Sequence, residues 1–209
     1  MVPSPLQAIV DVETAVAAGW RPADLAARYL EGGARWLQLR AKRLPDGEFL
    51  DLCDEVTALA ARTGAVVIVN DRADLARMSG AAGVHLGQED LPPAAARAVL
   101  GAEAMVGWST HTLEQIAAAA TLPVSYIAVG PVFGTATKDT GYAAVGLERV
   151  REAAHGSGGR PVVAIGGVTL ARAPEVLAAG GSAVAVITDL LTADPAARVR
   201  AYLDALWRG

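Results

Sequence analysis

Cysteine is almost absent from this sequence: Cys53 stands alone among 209 residues. An intramolecular disulfide is therefore excluded, and Cys53, in a helical stretch from Glu48 to Arg62, reads as a buried filler thiol compatible with a reducing compartment. Histidine is scarce too, and His85, His111 and His155 lack the spacing of a zinc site. Positive charge is not in excess: 18 Lys and Arg face 22 Asp and Glu, for a net charge of −4. No broad basic surface argues for nucleic acid, so any attraction for phosphate must be local. The N-terminus, Met1 to Asp11, has neither a basic region nor an apolar stretch of the secretory kind. The longest uncharged segment, Gln115 to Thr137, contains Pro123, Gly130, Pro131 and Gly134, and reads as a helix followed by a core strand rather than a membrane span. No Pro/Ser/Gly-rich linker divides the chain. With 53% hydrophobic and 19% charged residues it can bury a large core, and the expectation is one compact cytoplasmic enzyme domain spanning residues 1–209.

What is present is a regular alternation of two periodicities. Short apolar runs that read as strands are Leu6 to Val10, Trp36 to Leu39, Val66 to Val69, Gly83 to Leu86, Met105 to Trp108, Ser125 to Val129, Val162 to Ile165 and Ala183 to Ile187. Helical patterns separate them: Ala23 to Glu31, Glu48 to Arg62, Ala73 to Met78, Pro92 to Leu100, Leu113 to Ala120, Leu147 to Ala154, Leu170 to Ala179 and Pro195 to Trp207. An open doubly wound sheet would cluster its ligand loops at one switch point, whereas here polar loop residues follow at least six strands. The expected fold is α/β, a single closed parallel (β/α)8 TIM barrel, with every strand end on one rim.

That rim gathers the chemistry. Gln38, Arg40 and Lys42 alternate along an extended segment, so an amide and two cations are expected on one side. Asn70 and Asp71 follow the third strand and Asp90 the fourth, placing two carboxylates on neighbouring loops. They could share one magnesium ion, or either could cap a helix, Asp90 before Leu91 and Pro92 in particular. Ser109 and His111 follow the fifth strand without an aspartate or a nucleophile elbow, so Ser109 reads as a hydrogen-bond donor or cap. Thr135, Thr137 and Lys138 follow the sixth strand in a small-residue loop without Walker spacing. Gly166 and Gly167 after the seventh strand, and Ile187 and Thr188 after the eighth, occupy the loops where such barrels recurrently bind phosphate.

Taken in order, these motifs over nearly the whole chain resemble the thiamine-phosphate synthase family. The resemblance implies an enzyme that condenses a hydroxymethylpyrimidine diphosphate with a thiazole phosphate, carboxylated or not, and releases diphosphate with the help of Mg2+. It implies that Gln38, Arg40, Lys42, Asn70, Ser109 and Lys138 bind the pyrimidine diphosphate, with Arg40, Lys42, Ser109 and Lys138 as the catalytic set. Asp71 and Asp90 would hold the metal, and Thr135, Thr137, Gly167, Ile187 and Thr188 the thiazole phosphate. The implied reaction is dissociative, with diphosphate leaving before the thiazole nitrogen captures the pyrimidine methyl cation. Thr188 stands where the family commonly has serine, which keeps the hydroxyl, and Ala41 replaces an acidic residue whose side chain should point away from Arg40 and Lys42. Two alternatives share the scaffold: a thiazole tautomerase using His111 as acid and base, and a non-catalytic phosphate-ligand binding protein. A homo-oligomer is compatible with all three.

Overall fold

In the computed structural model, which describes residues 2–134 and 143–207, eight parallel strands close on one another in chain order. They are β1 (Leu6–Asp11), β2 (Trp36–Arg40), β3 (Val66–Asn70), β4 (Gly83–Leu86), β5 (Met105–Thr110), β6 (Tyr126–Val129), β7 (Val162–Ile165) and β8 (Ala183–Val186). β8 completes the ring by pairing with β1, Leu6 opposite Val184. Closure leaves no sheet edge unpaired, and the expected α/β TIM barrel is the fold observed.

Around it lie α1 (Val12–Ala17), α2 (Pro22–Glu31), α3 (Asp46–Ala61), α4 (Ala73–Met78), α5 (Pro93–Leu100), α6 (Leu113–Ala119), α7 (Gly146–Gly156), α8 (Ala173–Ala178) and α9 (Pro195–Trp207). Local chemistry sets several starts. Pro22 and Pro93 occupy first-turn positions where a missing N–H is harmless, and Thr112 with Gln115 forms a capping box on α6. α1 was not expected, because six residues show no complete apolar period; it forms where the Asp11 carboxylate accepts the Thr14 N–H at 3.0 Å. α8 begins at Ala173 rather than Leu170. The Leu170 N–H donates to the Asp189 carboxylate at 3.0 Å, and Pro174 sets the first turn only afterwards. No helix among the described residues is long and apolar enough to cross a membrane.

The alternation along β2 shows how the barrel divides labour. Leu37 and Leu39 face outward into the layer beneath the helices, with Leu25, Tyr29, Phe49 and Val56. Each such fully buried side chain stabilises the fold by roughly 1.5–3 kcal/mol, so the outward residues hold the strand in place. Inward, Trp36 packs edge-on against Tyr126 with ring centroids 5.0 Å apart, in a plug that includes Ile68 and Val163. Above Trp36 on the same face come Gln38 and then Arg40, both lining the rim cavity. Interior polarity thus rises towards the C-terminal ends of the strands.

Cys53 is fully buried on α3, and burial pushes its thiol up to about 12. At pH 8 only roughly one thiol in ten thousand would be ionised. Iodoacetamide should therefore leave the folded protein unmodified and label Cys53 stoichiometrically after denaturation, which mass spectrometry would read; rapid labelling of the folded chain would contradict this packing.

Candidate active site

A cavity of about 590 Å³ opens at the C-terminal rim. Its wall contains Gln38, Arg40, Asn70, Ser109, Gly167, Ile187 and Thr188, so seven of the residues expected to bind the substrates come together, with His111 and Gly166 beside them. Gln38, Arg40, Asn70 and Ser109 lie on the strands themselves, since β5 continues past Trp108 to pair Ser109 with Ala128 and Thr110 with Val129. Side chains on strands are held more firmly than side chains on loops.

Arg40 is held by a residue that sequence reasoning missed. Asp11 lies directly opposite it in the β1–β2 register, and the two form an ion pair. The Asp11 side chain is 3% exposed and also accepts from the Thr14 N–H and hydroxyl, so it caps α1 and orients the guanidinium at once. The available signal was an acid ending a strand that is apolar apart from Gln7.

Lys42 corrects the expected alternation. β2 ends at Arg40, the chain turns, and the Lys42 and Arg43 N–H groups both donate to Glu13 at 2.8 Å. The Lys42 ammonium pairs with Asp71 at the rim, and neither residue is part of the cavity wall. Ala41 packs towards the outer core, away from the cavity, as expected.

Asp71 and Asp90 meet beside the cavity mouth. Asp71 takes a left-handed backbone conformation, φ 64°, uncommon for a residue with a side chain, and its N–H donates to the His85 carbonyl at 2.8 Å. Asp90 accepts the Gly87 N–H at 2.7 Å. Neither caps a helix: α4 and α5 begin after Arg72 and Pro92 with no side-chain cap. Burial raises Asp90 above the usual carboxylate range, the Gly87 hydrogen bond opposes that rise, and the adjacent Asp71 carboxyl adds to it. An Asp90 carboxyl whose charge is disfavoured by burial and by the adjacent Asp71, with Lys42 alongside, forms a site that a divalent cation would relieve. Among the described residues no group of three or more His, Cys, Asp and Glu side chains gathers into an all-protein cage.

Ser109 has a histidine partner, but it is His85, at 2.9 Å, rather than His111. His85 turns its other nitrogen to the Tyr126 hydroxyl at 2.9 Å, so no Ser-His-Asp relay is formed among the described residues. His111 donates from Nδ1 to the Gly130 carbonyl at 2.6 Å.

The far side of the cavity is built from loops after β7 and β8. Gly166 and Gly167 both have positive φ, and a Cβ at either would collide with the segment Pro131 to Gly134. Glycine is required for that approach. With α8 starting only at Ala173, the anion-binding capacity of this loop rests on its own backbone N–H groups rather than on a helix end. Thr188 opens a single 3-10 turn, Thr188–Leu190. Asp189 in that turn accepts from Leu170, from Arg198 at 2.8 Å and from the Tyr202 hydroxyl, tying both loops to α9. Arg172, also unanticipated, lies over the Phe133 ring at 4.6 Å and lines the cavity. Thr135, Thr137 and Lys138 lie outside the described residues.

Comparison of the sequence with known proteins identifies the family. The family profile described as thiamine monophosphate synthase matches residues 6–190. A thiamine-phosphate synthase of Albidiferax ferrireducens is 42% identical over 194 residues, covering 91% of this chain and 88% of that protein. A bifunctional thiamine biosynthesis protein of Symbiobacterium thermophilum is 45% identical over 194 residues, but the chain spans only 40% of its length. Among solved structures, a thiamine phosphate pyrophosphorylase of Pyrococcus furiosus superposes with a TM-score of 0.86 at 29% identity, covering 97% of this chain and 95% of that one.

Proposed function

The chain belongs to the thiamine monophosphate synthase family, and from that premise we propose how its rim performs the transfer reaction of a thiamine-phosphate synthase. The activity is that of a transferase acting on small molecules. The observation that carries the reading of the site is a cavity with two unlike ends: Gln38, Arg40, Asn70 and Ser109 on strands at one, and glycine and hydroxyl loops at the other. That division suits two substrates, a pyrimidine diphosphate and a thiazole phosphate, meeting in between.

In this reading Gln38, Asn70 and Ser109 receive the pyrimidine, and Arg40, Lys42 and Lys138 face its diphosphate. Asp71 and Asp90 are the residues that would hold magnesium. Bound there, the metal would supply positive charge to the diphosphate oxygens as negative charge grows on them. Arg40, clamped by Asp11, keeps its donors fixed for the same oxygens and needs no reorganisation as charge develops. The bond from the pyrimidine methylene carbon to the diphosphate oxygen breaks with its electron pair leaving on diphosphate, and the thiazole nitrogen lone pair then forms the new C–N bond. No protein nucleophile is required, in keeping with Ser109 being tied to His85 and His111 to a backbone carbonyl. Gly167, Ile187, Thr188, Thr135 and Thr137 hold the thiazole phosphate, and Arg172 on Phe133 adds a cation to that end. Residues 1–209 act as one domain in the cytoplasm, with neither nucleic acid nor membrane as partner, a setting that fits the net charge of −4.

The direct test is to incubate the purified protein with both substrates and magnesium and quantify thiamine phosphate and diphosphate; formation of neither product would refute the reading. For Arg172→Ala, the expected result is roughly a tenfold rise in KM for the thiazole phosphate, equivalent to one charge-assisted contact, with KM for the pyrimidine diphosphate unchanged. Equal effects on both constants would remove Arg172 from the thiazole end.

A further inference from the structure

Beneath the cavity floor a chain of hydrogen bonds crosses the barrel interior. Gln38 Nε2 donates to Gln7 Oε1 at 3.3 Å, and Gln7 Nε2 donates to the Tyr126 hydroxyl oxygen at 3.3 Å. That hydroxyl lies 2.9 Å from His85 Nδ1, and His85 Nε2 lies 2.9 Å from Ser109 Oγ. The links come from β2, β1, β6, β4 and β5, and Gln7, Tyr126, Gln38 and His85 are all buried. Space for the central link is reserved at Gly107, where a Cβ would collide with both the Tyr126 hydroxyl end and His85 Nδ1. The His85 and Tyr126 rings also stack, with centroids 5.6 Å apart.

The chain has a sense. Tyr126 is fully buried and burial drives its pKa far above the ordinary phenol range, so its hydroxyl keeps its hydrogen. Its oxygen already accepts from Gln7, which leaves that hydrogen to be donated to His85 Nδ1. An accepting Nδ1 places the imidazole hydrogen on Nε2, where it donates to Ser109 Oγ. The Ser109 hydroxyl hydrogen is then turned into the cavity, as a donor. At the other end, Gln38 spends an amide hydrogen on Gln7 and presents Oε1 as an acceptor.

We propose that Gln7, Tyr126 and His85 are positioning residues that fix the hydrogen-bond polarity of Ser109 and Gln38, and so make the site selective for an aminopyrimidine over its oxo analogue. This rests on the pyrimidine reading given above. An aminopyrimidine offers a ring nitrogen lone pair to the Ser109 hydroxyl and an exocyclic N–H to Gln38 Oε1. An oxopyrimidine reverses both, setting a ring N–H against the serine hydrogen and a carbonyl against the glutamine oxygen. Mismatched buried polar groups reject an analogue more strongly than a lost methylene does.

The test reads the tautomer on the protein alone and selectivity on the enzyme. Long-range 1H–15N spectra of the 15N-histidine-labelled protein, with its three histidines assigned by substitution, are expected to show His85 neutral and protonated on Nε2. In Tyr126→Phe the Nδ1 partner is lost, so the Nδ1-protonated form should become populated. KM for the aminopyrimidine diphosphate should rise roughly tenfold, KM for the thiazole phosphate should not change, and the preference over the oxo analogue should shrink. Gln7→Leu, which breaks the chain one link earlier, should shift the tautomer in the same direction. Wild-type His85 protonated on Nδ1 or on both nitrogens would overturn the proposal, as would an unaltered tautomer and unaltered selectivity in both variants. Failure of the wild type to make thiamine phosphate would instead overturn the functional reading, since the spectra need no substrate.

Discussion

Asp90→Asn is expected to reduce thiamine phosphate formation on the order of 10²-fold or more while leaving the metal-free protein as stable as the wild type, or more so. The two halves of this result have one cause. In the fold, burial and the adjacent Asp71 carboxyl disfavour the charged form of Asp90, so its folded pKa lies above its unfolded one. A carboxyl raised in that way weakens the fold at neutral pH, where it must be ionised, and the penalty disappears as pH falls below the raised value. Asparagine removes the charge, and its Oδ1 can still accept the Gly87 N–H. Catalysis moves the other way, because a neutral amide gives up half of the charge available to a hard cation, and loss of a preorganised electrostatic contact of this kind is worth about 10²–10³ in turnover. Asp71→Asn should match the loss in turnover without the gain in stability, since it also breaks the ion pair with Lys42. Thermal denaturation with and without magnesium separates the effects: the wild type should be stabilised by the ion and both variants much less so. Full activity in either variant, or an unchanged magnesium-dependent shift in Tm, would remove the pair from metal binding.

The strands and the rim were legible because a period of two is a strong signal in a buried parallel barrel. Trp36, Gln38 and Arg40 fall on one face and Leu37 and Leu39 on the other, whatever the neighbouring strands do. What could not be read was anything that depends on register or on where a strand stops. Asp11 meets Arg40 only because β1 and β2 pair with those two residues opposite each other. Lys42 continues the alternation on paper but lies beyond the strand and outside the cavity wall, because Glu13 captures the turn after Arg40. Tyr126 reads as an ordinary core aromatic, and nothing local distinguishes it from Trp36 until His85 and Gln7 are brought against its hydroxyl. The late start of α8 was equally hidden, since it depends on Asp189 taking the Leu170 N–H from a different loop.

The ion pair between Asp11 and Arg40 gives the other large effect, and a double-mutant cycle shows why both residues belong to one device. Arg40→Ala removes a fork of fixed donors from the diphosphate side of the cavity, and kcat/KM for the pyrimidine diphosphate should fall on the order of 10²-fold. Arg40→Lys should recover only part of that, because a point charge cannot reproduce two parallel N–H bonds. Asp11→Ala should lower kcat/KM nearly as far although Asp11 is assigned no contact with the substrate, because the guanidinium then loses the carboxylate that orients it. Stability distinguishes the two variants. Asp11→Ala strands a mostly buried cation, at roughly 3 kcal/mol, and deprives α1 of its cap, at about 1 kcal/mol more. For a chain of this size the combined loss corresponds to a fall in Tm of about 10 °C. Arg40→Ala strands the still more buried Asp11 carboxylate, so its Tm should fall too, short of the Asp11→Ala loss by the α1 cap and the Thr14 hydrogen bonds it keeps. In the double variant the catalytic losses should not add, because once Arg40 is gone Asp11 has nothing left to orient. Additive losses in kcat/KM would mean that Asp11 acts on the reaction by some route other than Arg40, and an Asp11→Ala enzyme with full activity would mean that the guanidinium needs no orienting partner.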